Sequence, residues 1–295
     1  MKGAVVVTGA TGFIGRGLVA RLAGEGRALV ALGRRELEAR DGSLERAFDG
    51  AGCVVHLAAR AHRAGSAADF EADVALTRSL ARIAKQGGVR RFVHVSSVGV
   101  LGTRTRGTAF TEATPPAPRE PYAHAKWHAE QALQGELAAG ATEWTILRPS
   151  MVYGPHAPGN FARLVRAVQR GWPLPLAGVR NRRQLLALDN LVDAIVCGAD
   201  HPDAARRTFL VADAEPVSTP ELVALIAQGL GASARLWPLP ATMLEAAARA
   251  TGRGRMADSL LGDLEIDCNA LRSLGWQPRV APREGIVQAA AASRP

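Results

Sequence analysis

Residues 4–15, AVVVTGATGFIG, limit the fold more than any other stretch of the chain. A β-branched run closes on Gly9. Gly12 and Gly15 follow at three-residue spacing, and a helical apolar pattern covers 13–26. Glycines at such a turn let the backbone approach a pyrophosphate at a helix N-terminus, so the run predicts the first strand–helix unit of a dinucleotide-binding sheet. A glycine triplet alone is weak evidence; between a strand and a helix it is specific. Further strands are expected at 28–32, 53–59, 91–97 and 143–149, and helices at 68–88 and from residue 121 onward. That alternation predicts an α/β fold with a doubly wound parallel sheet.

Beyond Pro149 the prolines and glycines cluster, and short helices are expected near 160–170, 190–199, 219–230 and 240–250. The expected division is a dinucleotide-binding domain over 1–155, with a return segment at about 184–212, and a smaller, mainly helical substrate domain over 156–295. The end of the second strand bears on which dinucleotide binds. NAD sites usually place a carboxylate there for the ribose diol. Here the residues are ALGRR (31–35), and Arg34 and Arg35 suit a 2′-phosphate. NADP(H) is therefore expected over NAD(H), with Glu36 on the ribose as the competing arrangement.

Composition excludes several classes. The chain has 295 residues and a formal charge of +9, which fits anionic ligands such as nucleotides. Its aromatic content is only 5%, and no basic stripe with interleaved aromatics suggests nucleic acid. No apolar run approaches the length of a membrane span. The helix-like stretch ATMLEAAARATGRGR is mostly alanine on its apolar side, a weak signal for a membrane-surface helix. Cys53, Cys197 and Cys268 are far apart and in no ligand spacing. A cytoplasmic protein without a metal site is expected.

At 121–130, PYAHAKWHAE sets Tyr122 and Lys126 on one helix face. Any amphipathic helix could show that pair. With the glycine loop and VSSVGVLG (95–102) ahead of it, however, the chain resembles the extended short-chain dehydrogenase/reductases. More narrowly it is similar to their sugar-nucleotide epimerase/dehydratase branch. The likeness runs through VVHLAA, RFVHVSS, YAHAK, RPSMVYGP and NRRQLLALDNLVDAI. It implies a Rossmann domain with a C-terminal substrate domain, and Ser97, Tyr122 and Lys126 as catalytic residues, with Ser96 as the fallback for Ser97.

The same resemblance implies cofactor contacts from Gly9, Thr11, Gly12, Phe13, Ile14 and Gly15 in the loop. It adds Asp41 at the adenine, Leu57, Ala58 and Ala59 after the third strand, Tyr122 and Lys126, and Pro149 and Val152 near the nicotinamide. Asn160, Phe161 and Arg183 match positions that hold the substrate, the first and last of them at its diphosphate. A homodimer through the helices at 68–88 and 122–139 is implied as well. Two departures stand out. Residues 33–53 are short for the family, as though the helix there were trimmed away, and Asp73 stands where an asparagine is usual.

A phenol titrates near 10, so Tyr122 needs help to act as a base; a lysine ammonium one turn away favours the phenolate. Ser97 would polarise the same substrate oxygen. Val98 and Gly99 cannot supply the carboxylates that 4,6-dehydration needs. Two outcomes remain at C4 of a nucleotide sugar, with UDP favoured as the nucleotide. The Arg34–Arg35 pair favours NADPH-dependent reduction of a UDP-4-keto-6-deoxy-N-acetylhexosamine, as used in surface polysaccharide synthesis. The alternative is 4-epimerisation of a UDP-sugar. Reduction of a non-nucleotide carbonyl and dinucleotide sensing are lesser readings. His56 and His94, on presumed strands, read as satisfied core histidines.

Overall fold

Strand β1 (Val5–Thr8) is buried along its whole length and lies inside the sheet rather than at its edge. The computed structural model describes residues 3–39, 41–58, 67–252 and 254–294. On one side β1 pairs with β2 (Leu29–Leu32), on the other with β3 (Cys53–His56). Then come β4 (Arg91–Val95), β5 (Glu143–Pro149) and, from far along the chain, β8 (Arg207–Val211). Every pairing is parallel, giving the order β2-β1-β3-β4-β5-β8. This is the expected Rossmann-type doubly wound sheet.

The strands bury both faces because their apolar side chains alternate into two cores. Val5, Val7, Val55, Val93 and Leu147 face α1 (Phe13–Gly24) and α7 (Leu188–Asp200). Val6, Val54, Phe92 and Ile146 face α3 (Ser43–Phe48), α4 (Ala67–Gln86) and α5 (Pro121–Glu136). Proline at the first helical position of α5 fits, since that residue's N–H has no intrahelical partner. Between β2 and β3 the chain is not trimmed to a bare loop, as the sequence suggested. It forms two short helices, α2 (Arg34–Glu38) and α3, whose Phe48 fills the core beneath them.

After β5 the chain forms a short pair, β6 (Val152–Tyr153) with β7 (Leu186–Ala187), and α6 (Asn160–Gln169) lies between them in sequence. A third core gathers Tyr153, Phe161, Val223, Ile226 and Ile286. It draws on α8 (Thr219–Leu230), which opens with a Ser218–Glu221 capping box and closes at left-handed Gly231, and on α12 (Pro282–Ala291). Buried Asp213 stitches this region to the sheet. Its carboxylate accepts from the Ala187 N–H, Asn190 Nδ2 and the Tyr153 hydroxyl, and burial pushes its pKa up to about 6. Helices α9 (Ala241–Ala250), α10 (Gly254–Leu261) and α11 (Asn269–Arg272) complete the chain, with α9 and α10 packed on each other. No helix among the described residues is long and apolar enough to cross a membrane.

Candidate active site

The glycine turn after β1 is a cradle that side chains would fill. Gly9 has φ 73°, and a Cβ on it would lie 2.8 Å from the Ala58 nitrogen. A Cβ on Gly15 would stand 2.2 Å from the Gly9 carbonyl oxygen, so α1 can seat against the turn only with glycine there. Helix α1 begins at Phe13 with no side-chain cap and no acidic residue in its first turn, leaving its N–H groups for an anion. These features fit a dinucleotide pyrophosphate. Ala58 and Leu57 follow β3 beside Gly9, where the sequence put them, and the Leu57 N–H donates to the Thr8 carbonyl. Ala59 lies outside the described residues. Phe13 packs against Gly154, which brings the segment carrying Val152 beside the glycine turn. Pro149 ends β5 at the same carboxyl edge of the sheet.

The second strand ends differently from expectation. Glu36 turns back so that its carboxylate accepts from the Gly33 N–H at 2.8 Å, and the Thr11 side chain abuts Gly33. A carboxylate therefore does stand at the strand end. Arg34 and Arg35 are exposed and, among the described residues, bond to nothing. Asp41 accepts from the Ser43 N–H just ahead of α3, and the Ser43 hydroxyl together with that N–H holds its pKa below the ordinary carboxylate value.

The chemistry gathers at the end of β4. Ser96 and Ser97 are distinguished by direction. Ser96 is buried and its hydroxyl donates to Glu130 of α5. Ser97 stays half-buried, and its Oγ accepts from the Gly99 N–H at 3.1 Å, which leaves its own proton for a ligand. A Cβ on Gly99 would touch both Ser97 Oγ and Ala123, so the start of α5 lies against the serine turn. One residue before Ala123 is Tyr122, half-buried; one turn on is Lys126, buried, its Nζ donating to the Val95 carbonyl at 2.8 Å. The Nζ stands 5.9 Å from the centre of the Tyr122 ring. The sequence-derived trio thus meets at one place.

Its electrostatics correct one expectation. Burial pushes the Tyr122 phenol above its ordinary value of 10.0, and the Asp73 carboxylate pushes the same way. Burial lowers Lys126 itself to about 8, against the opposing pull of Asp73 and Glu130. Asp73 thus acts on both groups, a role no spacing in the sequence pointed to. It favours the protonated form of each. Asp73→Asn should therefore move both limbs of the pH profile of kcat/KM to lower pH. Unmoved limbs would show that the carboxylate does not reach the pair.

Behind the trio, the buried Glu130 carboxylate is clamped by Arg148 of β5, with Nε at 2.9 Å and Nη2 at 2.6 Å. His56 is satisfied, between Thr8 and Thr77. His94, stacked on it at 5.3 Å, has no partner for either ring nitrogen among the described residues, so only half of the satisfied-histidine reading holds. Burial keeps both rings neutral. Farther out, Arg183 donates from Nη1 to the Gly262 carbonyl at 2.7 Å, and burial lowers its pKa to about 10. Asn160 opens α6 on the surface. Phe161 departs from expectation: its ring is core, 1% exposed and packed on Tyr153, rather than turned to a substrate.

An uncapped helix on a glycine turn, feeding a Ser–Tyr–Lys cluster, defines a dinucleotide-dependent short-chain oxidoreductase. Residues 5–212 match the model of the NAD dependent epimerase/dehydratase family, and the chain belongs to that family of enzymes. A UDP-glucose 4-epimerase of Vibrio cholerae is 34% identical, aligned over 99% of this chain and 96% of its own. A dTDP-6-deoxy-L-talose 4-dehydrogenase (NAD(P)(+)) of Kitasatospora kifunensis is 27% identical over 96% of this chain and 93% of its own. Among solved structures, MoeE5 in complex with UDP-glucose and NAD superposes with a TM-score of 0.80 at 27% identity, covering 99% of this chain and 98% of that one.

Proposed function

We propose that this enzyme oxidises and re-reduces C4 of a UDP-sugar, yielding the 4-epimer. The observation that carries the reading is Lys126, anchored on the Val95 carbonyl with Tyr122 one turn ahead and Ser97 alongside, on the same carboxyl edge of the sheet as the glycine cradle. The likeness to an epimerase from Vibrio cholerae supports the same outcome. Glu36 at the end of β2 supports NAD(H) as the cofactor.

In this mechanism the Tyr122 hydroxyl exchanges a proton with the sugar's O4. Ser97, its lone pair engaged by Gly99, donates its hydroxyl hydrogen to the same oxygen and stabilises charge there. Lys126 spends one of its three N–H donors on Val95 and directs its charge toward the phenol and the ribose hydroxyls. A bound nicotinamide dinucleotide supplies hydride exchange at the sugar carbon and, when oxidised, a positive charge that opposes the effects of burial and Asp73 on Tyr122. Arg183 takes the substrate diphosphate.

A second reading, NADPH-dependent reduction of a UDP-4-keto-6-deoxy sugar, draws on exposed Arg34 and Arg35, both available to a 2′-phosphate. One experiment separates the two. The purified protein is incubated with UDP-glucose or UDP-N-acetylglucosamine plus NAD, and separately with the 4-keto-6-deoxy sugar plus NADPH or NADH. Epimer without net change in cofactor absorbance is the expected result. Stoichiometric NADPH consumption with no epimer would transfer the assignment to the reductase, and inertness in every arm would sink both.

A further inference from the structure

Arg104, three residues past the serine turn, is placed like a ligand-binding group and satisfied like none. Its guanidinium makes no hydrogen bond among the described residues and is held instead by ion pairs with two carboxylates. Nη1 stands 3.5 Å from Glu245 of α9 and 3.4 Å from Asp258 of α10. Glu245 has a closer partner in Arg249, at 3.1 Å. At those lengths neither pair has ordinary hydrogen-bond distance.

Arg104 also converges with Arg183. The Arg183 Nη1 donates to the Gly262 carbonyl and approaches the Asp258 carbonyl at 3.4 Å. The Arg104 side chain abuts the same glycine, where a Cβ would come within 2.9 Å of its Cδ, and faces the Asp258 carboxylate. Two guanidinium groups from opposite halves of the chain therefore flank residues 258–262. A diphosphate offers a guanidinium paired oxygens and more charge than either carboxylate.

We propose that Arg104 is a second guanidinium on the nucleotide diphosphate, released from Glu245 and Asp258 when the nucleotide binds. The inference rests on the UDP-sugar reading above and extends it to a residue from the catalytic half of the chain.

Calorimetric titration with UDP tests it, using wild type, Arg104→Ala, Glu245→Gln and the double variant. Arg104→Ala should weaken UDP about tenfold, the usual worth of a charge-assisted hydrogen bond. Glu245→Gln should tighten UDP severalfold, and that gain should vanish in the double variant, because it acts through the freed arginine. If Arg104 were only a clamp between the loop and α9, Glu245→Gln would weaken binding as Arg104→Ala does, and the proposal would fall. Equal UDP affinity in wild type and Arg104→Ala would also overturn it. A wild type that binds no UDP would remove the underlying reading, and this inference with it.

Discussion

Tyr122→Phe is expected to lower kcat by about a thousandfold while leaving dinucleotide binding nearly intact, because it deletes one hydroxyl and keeps the ring. The ring packs at the start of α5, and the Lys126 anchor on Val95 does not depend on the phenol oxygen. Cofactor affinity, read by quenching of protein fluorescence, should therefore stay within a few-fold. Turnover, read as product by chromatography, should collapse. Ser97→Ala should cost less, since it removes polarisation of the substrate oxygen but not the proton path. A Tyr122→Phe protein that still turns over within tenfold of wild type would mean that another group moves the proton. Neither buried histidine, His56 nor His94, is suited to that, for burial opposes the imidazolium each would have to form on taking the proton.

The largest expected effect on stability comes from the pair behind the site. Glu130 is 1% exposed and bonds only to Arg148 and Ser96 among the described residues. Removing Arg148 leaves a buried carboxylate with one hydroxyl, so Arg148→Ala should destabilise by about 3–5 kcal/mol. Replacing both partners with apolar residues, Glu130→Leu with Arg148→Met, should recover most of that loss, because the cost lies in the stranded charge. Urea unfolding of the three variants measures it. A single-variant loss below about 1 kcal/mol would mean that water reaches Glu130 and the clamp is a surface pair.

Where the chemistry is local, the sequence was readable. The glycine turn, the strand–helix alternation and the Tyr122–Lys126 spacing each depend on a few adjacent residues, and each lies where it was expected. What escaped depends on which faces meet across the fold. Asp73 is on α4 and Tyr122 on α5, and only the packing of those two helices gives the carboxylate its hold on the phenol. Glu36 was set second to the arginine pair because its capping bond to Gly33 needs α2, a helix the short 33–53 segment hid. Phe161 comes two residues after a glycine in a loop-rich stretch, and nothing local says that its ring turns inward to Tyr153. Glu130 could have been found. It lies one turn beyond Lys126 on the same face of α5, and a carboxylate there requires a cation beneath it.

The arrival of β8 from beyond residue 206 sets a condition on biosynthesis. β5 pairs on its outer side only with Arg207–Val211, from Thr145 opposite Arg207 to Pro149 opposite Val211. A ribosome must therefore deliver residues 150–206 before that side of β5 can be covered. Throughout that interval a row of backbone donors and acceptors lies open, ready to zip onto the same strand of a sister nascent chain. Polypeptides cut short within that stretch would carry the hazard permanently, which makes the closing strand the molecule's protection against its own aggregation.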